Sequence, residues 1–466
     1  MKKLSILTTI LAVAILPGCV KELKPSDPSG ADNAATAKGK PSPPPPPASI
    51  LQWQKTYGSP LNELGYAIAK ANDGSGYVFT ASALGKSGDI ANYHGGIGAD
   101  VWAVKVDNAG TIVWQQSLGG TAGDYANDII ETADESGYVF VGETKSNDGD
   151  ITGNHGGYDL WVVKLDEATG NIVWKKTYGG SADELPTMSA NSIIQTGDGG
   201  FMLAGGTGST DGDVTSNKGG NDAWIIKLNS SGDMVWQKTY GGSLNEAANS
   251  IIPIAGGNYL VSAITNSLDG DLSGQVHYGG SDCWLFKIDV NGDLIWQKTY
   301  GGSQNEGADA VLATPDGNYV FSSVTTSNNG DVSGNHGSSD VWVAKIDAAG
   351  TILRKKCFGG RDVDNAVLKD IDASGKILLV GYTFSGDGDI SGGYKGTEDS
   401  WALQLDADVN KLNSNVFGGR SDDTGVDAVP TPDGMYMAVG RTGSANGDVT
   451  LNHGGEDVWL VKFKFP

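Results

Sequence analysis

The chain has 466 residues, 70 of them glycine, with a formal net charge of −23 and a pI near 4.4. So acidic a molecule repels phosphate backbones and anionic lipid surfaces over most of its area, which excludes nucleic acid as a partner class. Its apolar residues, 39% of the total, fall in short runs such as YVFVG and DVWVAKI rather than long helical periods, so strands joined by turns are predicted.

The first element is a secretion signal over residues 1–18: two lysines, an apolar run too short for a spanning helix, then small residues. Its end, LPGC at 16–19, resembles the bacterial lipobox, so Cys19 is expected to become the lipidated (palmitoylated) first residue of an outer-membrane lipoprotein on the periplasmic or cell-surface side. Residues 19–49 are rich in Pro, Ala, Ser and Gly, with PPPPP at 43–47; such a stretch buries no core and reads as an extended tether.

From residue 50 to 466 one unit recurs. An Asp two residues before a Trp appears at Asp100, Asp159, Asp222, Asp282, Asp340, Asp399 and Asp457, and a Gly-Asp-apolar marker keeps step at Asp89, Asp150, Asp213, Asp271, Asp331, Asp389 and Asp448. Each unit parses as four short strands with turn residues at fixed offsets, the signature of a propeller blade. The repeat opens with a lone fourth strand, LQWQKTYG, and ends on a third strand, DVWLVKFKF. The prediction is an all-β, seven-bladed β-propeller of four-stranded blades, its ring closed by residues 51–57 pairing with the C-terminal blade. A solenoid or an array of sandwiches also stacks repeats, but leaves those complementary ends unexplained.

Within the unit, the twelve Trp occupy two repeat positions and are expected between blades, with small residues such as Ala126, Ala248 and Ala308 at the crowded innermost strand. Cys283 and Cys357 lie in strands of different repeats and read as buried free thiols. Asn62, Asp124, Asp183, Asn245, Asn305, Asp364 and Asp423 are expected to cap the inter-blade loops.

All five histidines, His94, His155, His277, His336 and His453, sit in the loop typified by NDGDITGNHGGYDLW. Imidazole beside carboxylate suits a metal, yet two blades carry Lys218 and Lys395 at the same place, and an ammonium does not ligate; the histidines therefore read as structural. Asp148, Asp150 and Asp159 offer the oxygen ligands of a calcium loop, but the first becomes Ser87, Asn329 or Asn446 elsewhere and EF-hand spacing is missing. No cofactor is expected, calcium being the one alternative.

The stretch WQKTYGGS…GNYLVSAITNSLDGDLSG…GGSDCWLFKIDVNGD resembles the β-propeller repeats of secreted proteins and lipoproteins of the Bacteroidetes, over nearly everything after residue 50. The resemblance implies the fold and an extracytoplasmic life, and brings no catalytic residues. Since almost every acid has six equivalents while catalysis needs an acid and a base in unlike surroundings, an enzyme is not expected. A monomeric binding module for a glycan or protein is expected, with a purely structural envelope scaffold, or after it a glycan-active enzyme, as the alternatives. Symmetry-breaking residues are then the place to look, and among them Arg361, Arg420 and Arg441 are expected to approach one loop face as a cationic spot for an anionic sugar.

Overall fold

In the computed structural model the described residues are 50–96, 98–186, 191–391 and 393–466. The expected signal segment, Cys19 and the expected tether lie outside them. The body is all-β, and its sheets are seven antiparallel blades. Blade two shows the plan: Asp124–Glu131, Gly137–Thr144, Asp159–Asp166 and Ile172–Tyr178 pair in sequence order. The first strand is innermost, where the first strands of neighbouring blades pack on one another. Its middle carries a β-bulge in six blades, at Tyr66, Asn127, Asn249, Asp309, Lys369 and Val426.

As expected from the incomplete ends, Ile50–Tyr57 pairs antiparallel with Asp457–Lys464 and completes blade seven. Blade three departs from the plan. Its innermost strand is split into Glu184–Pro186 and Ile193–Gln195, both paired with Phe201–Thr207, with the inserted residues between them.

Seven apolar clusters hold the blades, one for each pair of neighbours. The cluster joining blades one and two contains Val101, Trp114, Ala126, Tyr138 and Trp161, and the one joining blades seven and one contains Val439, Leu460, Tyr57, Phe79 and Trp102. The seven third-strand Trp are at most 1% exposed, which places them as the fillers between blades. The fourth-strand Trp pack beside them; Trp114 is buried and Trp53, Trp174, Trp236 and Trp296 half-buried. Ala126, Ala248 and Ala308 are fully buried in the first strands, and Cys283 and Cys357 are buried and free. Tyrosines at the fourth-strand ends add polar clamps: Tyr57 donates its hydroxyl to Gly110 O at 2.6 Å and Tyr300 to Gly350 O at 2.6 Å, each in the next blade. Among the described residues no helix is long and apolar enough to cross a membrane.

Candidate ligand-binding face

The repeated loops hold most of the candidate residues. Between blades, the acid four residues after the second glycine folds back onto that loop: Asp124 accepts Gly120 N–H at 2.8 Å, Glu184 accepts Gly180 N–H at 2.7 Å, and Glu306 accepts Gly302 N–H at 2.6 Å. Glu246, Asp364 and Asp423 do the same, Glu63 accepts the N–H of Ser59 in the second glycine's place, and all seven are at most 1% exposed. This corrects the capping set read from the sequence. Asp124, Asp364 and Asp423 hold this role, but in the other four blades it belongs to the following glutamate. Asn62, Asp183, Asn245 and Asn305 instead reach across the junction and accept the N–H of Glu456, Tyr158, Asn221 and Ser281 at 2.9–3.1 Å. A glutamate's extra methylene lets it serve the aspartate's place, so the two adjacent polar positions are alike in composition while differing in task.

The histidine loop has the same logic. His155 donates its backbone N–H to Asp159 at 2.9 Å and its Nδ1 lies 2.7 Å from that carboxylate; His94, His336 and His453 hold Asp100, Asp340 and Asp457 likewise. The far nitrogen points to the next blade, His94 Nε2 lying 3.3 Å from Asp150 and His453 Nε2 3.9 Å from Asp89. Lys218 and Lys395 make the equivalent bridges to Asp271 and Asp448. This position, whether His or Lys, thus lies between the acids of two neighbouring blades. His277 is displaced: in its longer loop Tyr278 supplies the N–H to Asp282, and the His277 ring lies 2.7 Å from Asp282 without hydrogen-bond geometry. Burial pushes the Asp282 carboxyl up, against the Tyr278 N–H bond and the nearby His277 ring.

Asp148, Asp150 and Asp159 are not brought together. Asp148 accepts the N–H and hydroxyl of Thr121, Asp150 accepts Gly119 N–H, and Asp159 is buried against His155. Among the described residues no group of three His, Cys, Asp or Glu side chains is arranged to hold a metal. The variation at the first of these positions has a reason: it caps the loop's N–H, and where Pro60 has none to give, Ser87 stands in the acid's place.

The arginines divide. Arg361 is 82% exposed, 3.4 Å from Asp387, and Arg420 is exposed on the next inter-blade loop. Arg441 is drawn inward, donating Nε–H to Thr424 Oγ1 at 3.2 Å and lying 3.5 Å from Glu456 and 4.0 Å from Glu398. Its charge is thus already met by two glutamates, and no contact joins it to the other two among the described residues.

Arg441 leads to the part of the molecule that does not repeat. At the loop-side end of the two innermost strands, each blade presents one aligned cross-strand pair: Leu64 with Ser82, Tyr125 with Glu143, Leu185 with Gly206, Ala247 with Ile264, Gly307 with Val324, Asn365 with Tyr382, and Thr424 with Arg441. Blades three, four and five contribute small or apolar residues here. Blades six, seven and two contribute aromatic and ionisable ones, and blade one adds Tyr66 from its bulge. These side chains lie close to one another: burial pushes the Tyr66 phenol up to about 12, with its hydroxyl bonded to Ser82 and Tyr125, Glu143 and Arg441 nearby. Burial, then Asp183, pushes the Glu143 carboxyl up to about 7. The Tyr158 ring beside it already carries a cation, Lys145 Nζ at 5.1 Å from the ring centre.

Deeper on the axis lies a second unrepeated cluster. Lys369, its side chain 3% exposed, is 3.3 Å from Asp427, and its charge acts on Asp128 and Asp309. Burial raises both of those carboxyls to about 7, and Asp309 Oδ2 is buried without a hydrogen-bond partner. Neither the mouth nor this cluster was singled out in the sequence beyond Arg441. Aligning the seven units column by column and asking which inward columns vary would have found both.

Fold and site together define a β-propeller with seven like junctions and a single unlike face around its axis. No family model matches the sequence. Over 232 residues, 46% of this chain, it is 25% identical to the regulatory protein FlaEY of Caulobacter vibrioides, and it spans about a quarter of that curated relative's length, 24%. Among solved structures it is similar to BamB from Moraxella catarrhalis, with 12% identity, a TM-score of 0.42 and coverage of 90% of this chain and 100% of that one. It is also similar to Kuenenia stuttgartiensis hydrazine synthase, with 13% identity, a TM-score of 0.46 and coverage of 80% and 92%. Likeness at this level is without functional content.

Proposed function

We propose that this chain is a lipid-anchored, extracytoplasmic interaction module of the outer membrane that captures a glycan or protein partner on the axial mouth formed by blades six, seven, one and two. The supporting observation is the break in symmetry: junction positions keep the same residue types around the ring, whereas the aligned mouth pairs run from Gly307 with Val324 to Tyr125 with Glu143. A scaffold that only needed to stand would have no use for tyrosines and an arginine at one side of its axis. Tyrosine and arginine are the residue types that dominate contact surfaces, being large, stiff and able to bond through one end. The anchor rests on LPGC at 16–19 and the tether on residues 19–49.

Two experiments bear on the two halves of this reading. Cys19→Ala should release the protein from the membrane fraction. Screening the purified protein against glycans and envelope proteins, with Tyr125→Ala/Arg441→Ala alongside, should yield a ligand whose binding the double variant loses. A ligand retained in full by that variant places recognition elsewhere.

A further inference from the structure

The chemistry of the mouth narrows its ligand. Glu143 has no hydrogen-bond donor and no ion pair among the described residues, although burial and Asp183 both work against its charge. By contrast Arg441, at the aligned position of blade seven, lies beside two glutamates, 3.5 Å from Glu456 and 4.0 Å from Glu398. The molecule thus shows how this end of a blade holds a guanidinium, and offers at blade two the matching acid with no partner among the described residues. Lys145 over the Tyr158 ring shows that the rings at this edge take cations as well. Tyr66, Tyr125, Glu143 and Arg441 are each half-exposed rather than enclosed. An open surface of this kind suits a cation carried on a partner's chain rather than a free small molecule, and the net charge of −23 draws such partners in.

We propose that Glu143, paired across the strands with Tyr125 at the mouth, receives a Lys or Arg side chain from an extended segment of a partner polypeptide. This rests on the reading of the mouth as the contact surface.

The test is calorimetric titration of the full chain with three capped pentapeptides, Gly-Ala-X-Ala-Gly, in which X is Arg, Lys or Glu, and with free methylguanidinium. The Arg and Lys peptides should bind, the Glu peptide should not, and methylguanidinium should bind more weakly than the Arg peptide. Glu143→Gln, of the same shape, should weaken the Arg peptide by about tenfold or more, the usual loss of a charge-assisted contact. Lowering the pH from 8 to 6 protonates Glu143 and should weaken the parent's binding while leaving the variant's unchanged. Equal binding of the Arg and Glu peptides, no binding of either, or an Arg affinity indifferent to Glu143→Gln overturns the proposal. Methylguanidinium binding as tightly as the peptide overturns the polypeptide source. A neutral oligosaccharide that binds the parent and is lost in Tyr125→Ala, with the Arg peptide inert, refutes the cationic ligand and keeps the mouth. If Tyr66→Ala, Tyr125→Ala and Arg441→Ala change the binding of no ligand, both readings fall.

Discussion

At the junction of blades one and two, Asp100 and Asp124 are fully buried, and an added Cβ on Gly119 would meet an oxygen of each at 2.8 Å. The same crowding returns at Gly58, Gly179, Gly241, Gly301, Gly359 and Gly418. At the mouth an added Cβ on Gly206 meets nothing nearer than Ala247 Cβ at 3.5 Å, and the aligned residues elsewhere are as different as Glu143, Ile264 and Arg441. Where backbone and carboxylates touch, seven copies have one solution; where side chains meet solvent around the axis, each blade is free. Repetition therefore marks what holds the ring, and its failure marks what the ring presents.

The largest test of that contrast removes the first strand. Deleting residues 50–57 exposes the edge of Asp457–Lys464 and strips Trp53 and Tyr57 from the cluster between blades seven and one. We expect loss of a single cooperative melting transition; a melting temperature near the parent's would show that blade seven needs no partner strand. Next, Trp342→Ala empties a fully buried site and should cost about 3–5 kcal/mol in denaturant unfolding. Tyr125→Ala at the half-buried mouth should cost clearly less, about 1 kcal/mol. Equal losses would erase the distinction between the two regions. Within glycines, Gly119→Ala should destabilise by about 1–3 kcal/mol through overpacking while Gly206→Ala stays within about 0.5 kcal/mol.

Acidity separates the regions too. Asp128, Asp309 and Glu143 are raised to about 7, so between pH 4 and 7 the folded protein binds protons that the unfolded chain releases. Their contribution to stability is complete below the unfolded carboxyl range and is lost as pH rises through about 7. The midpoint of denaturant unfolding should therefore increase on acidification from pH 8 to 6, and Asp309→Asn should flatten that rise by about 1 kcal/mol. A variant that follows the parent's profile would remove Asp309 from the account. The smallest effect lies in the repeat itself. Trp102 donates its indole N–H to Gln115 at 3.0 Å, while Trp161, whose blade carries Lys175 in the place of Gln115, has no acceptor among the described residues. Lys175→Gln should stabilise by about 1 kcal/mol, read as a higher melting temperature.

Much of this was legible in the sequence. Period, strand order and the pairing of residues 51–57 with the chain's last strand follow from where turn residues and Trp recur, because a blade cannot bury its faces alone and an open edge seeks a partner. Lys218 and Lys395 in the histidine's place pointed to a structural position, since an ammonium does not ligate. The exchange of Asn62 for Glu63 as the inward cap was not legible, because neighbouring polar residues in a loop differ only in which way the backbone turns them. Nor was the tyrosine and glutamate mouth: Tyr66, Tyr125, Glu143 and Arg441 come from three blades and are up to 375 residues apart in sequence. Local pattern determined the blade, because hydrogen bonding and alternation act between near neighbours. Only the ring, by bringing the ends of distant innermost strands around one axis, decided which unrepeated side chains meet.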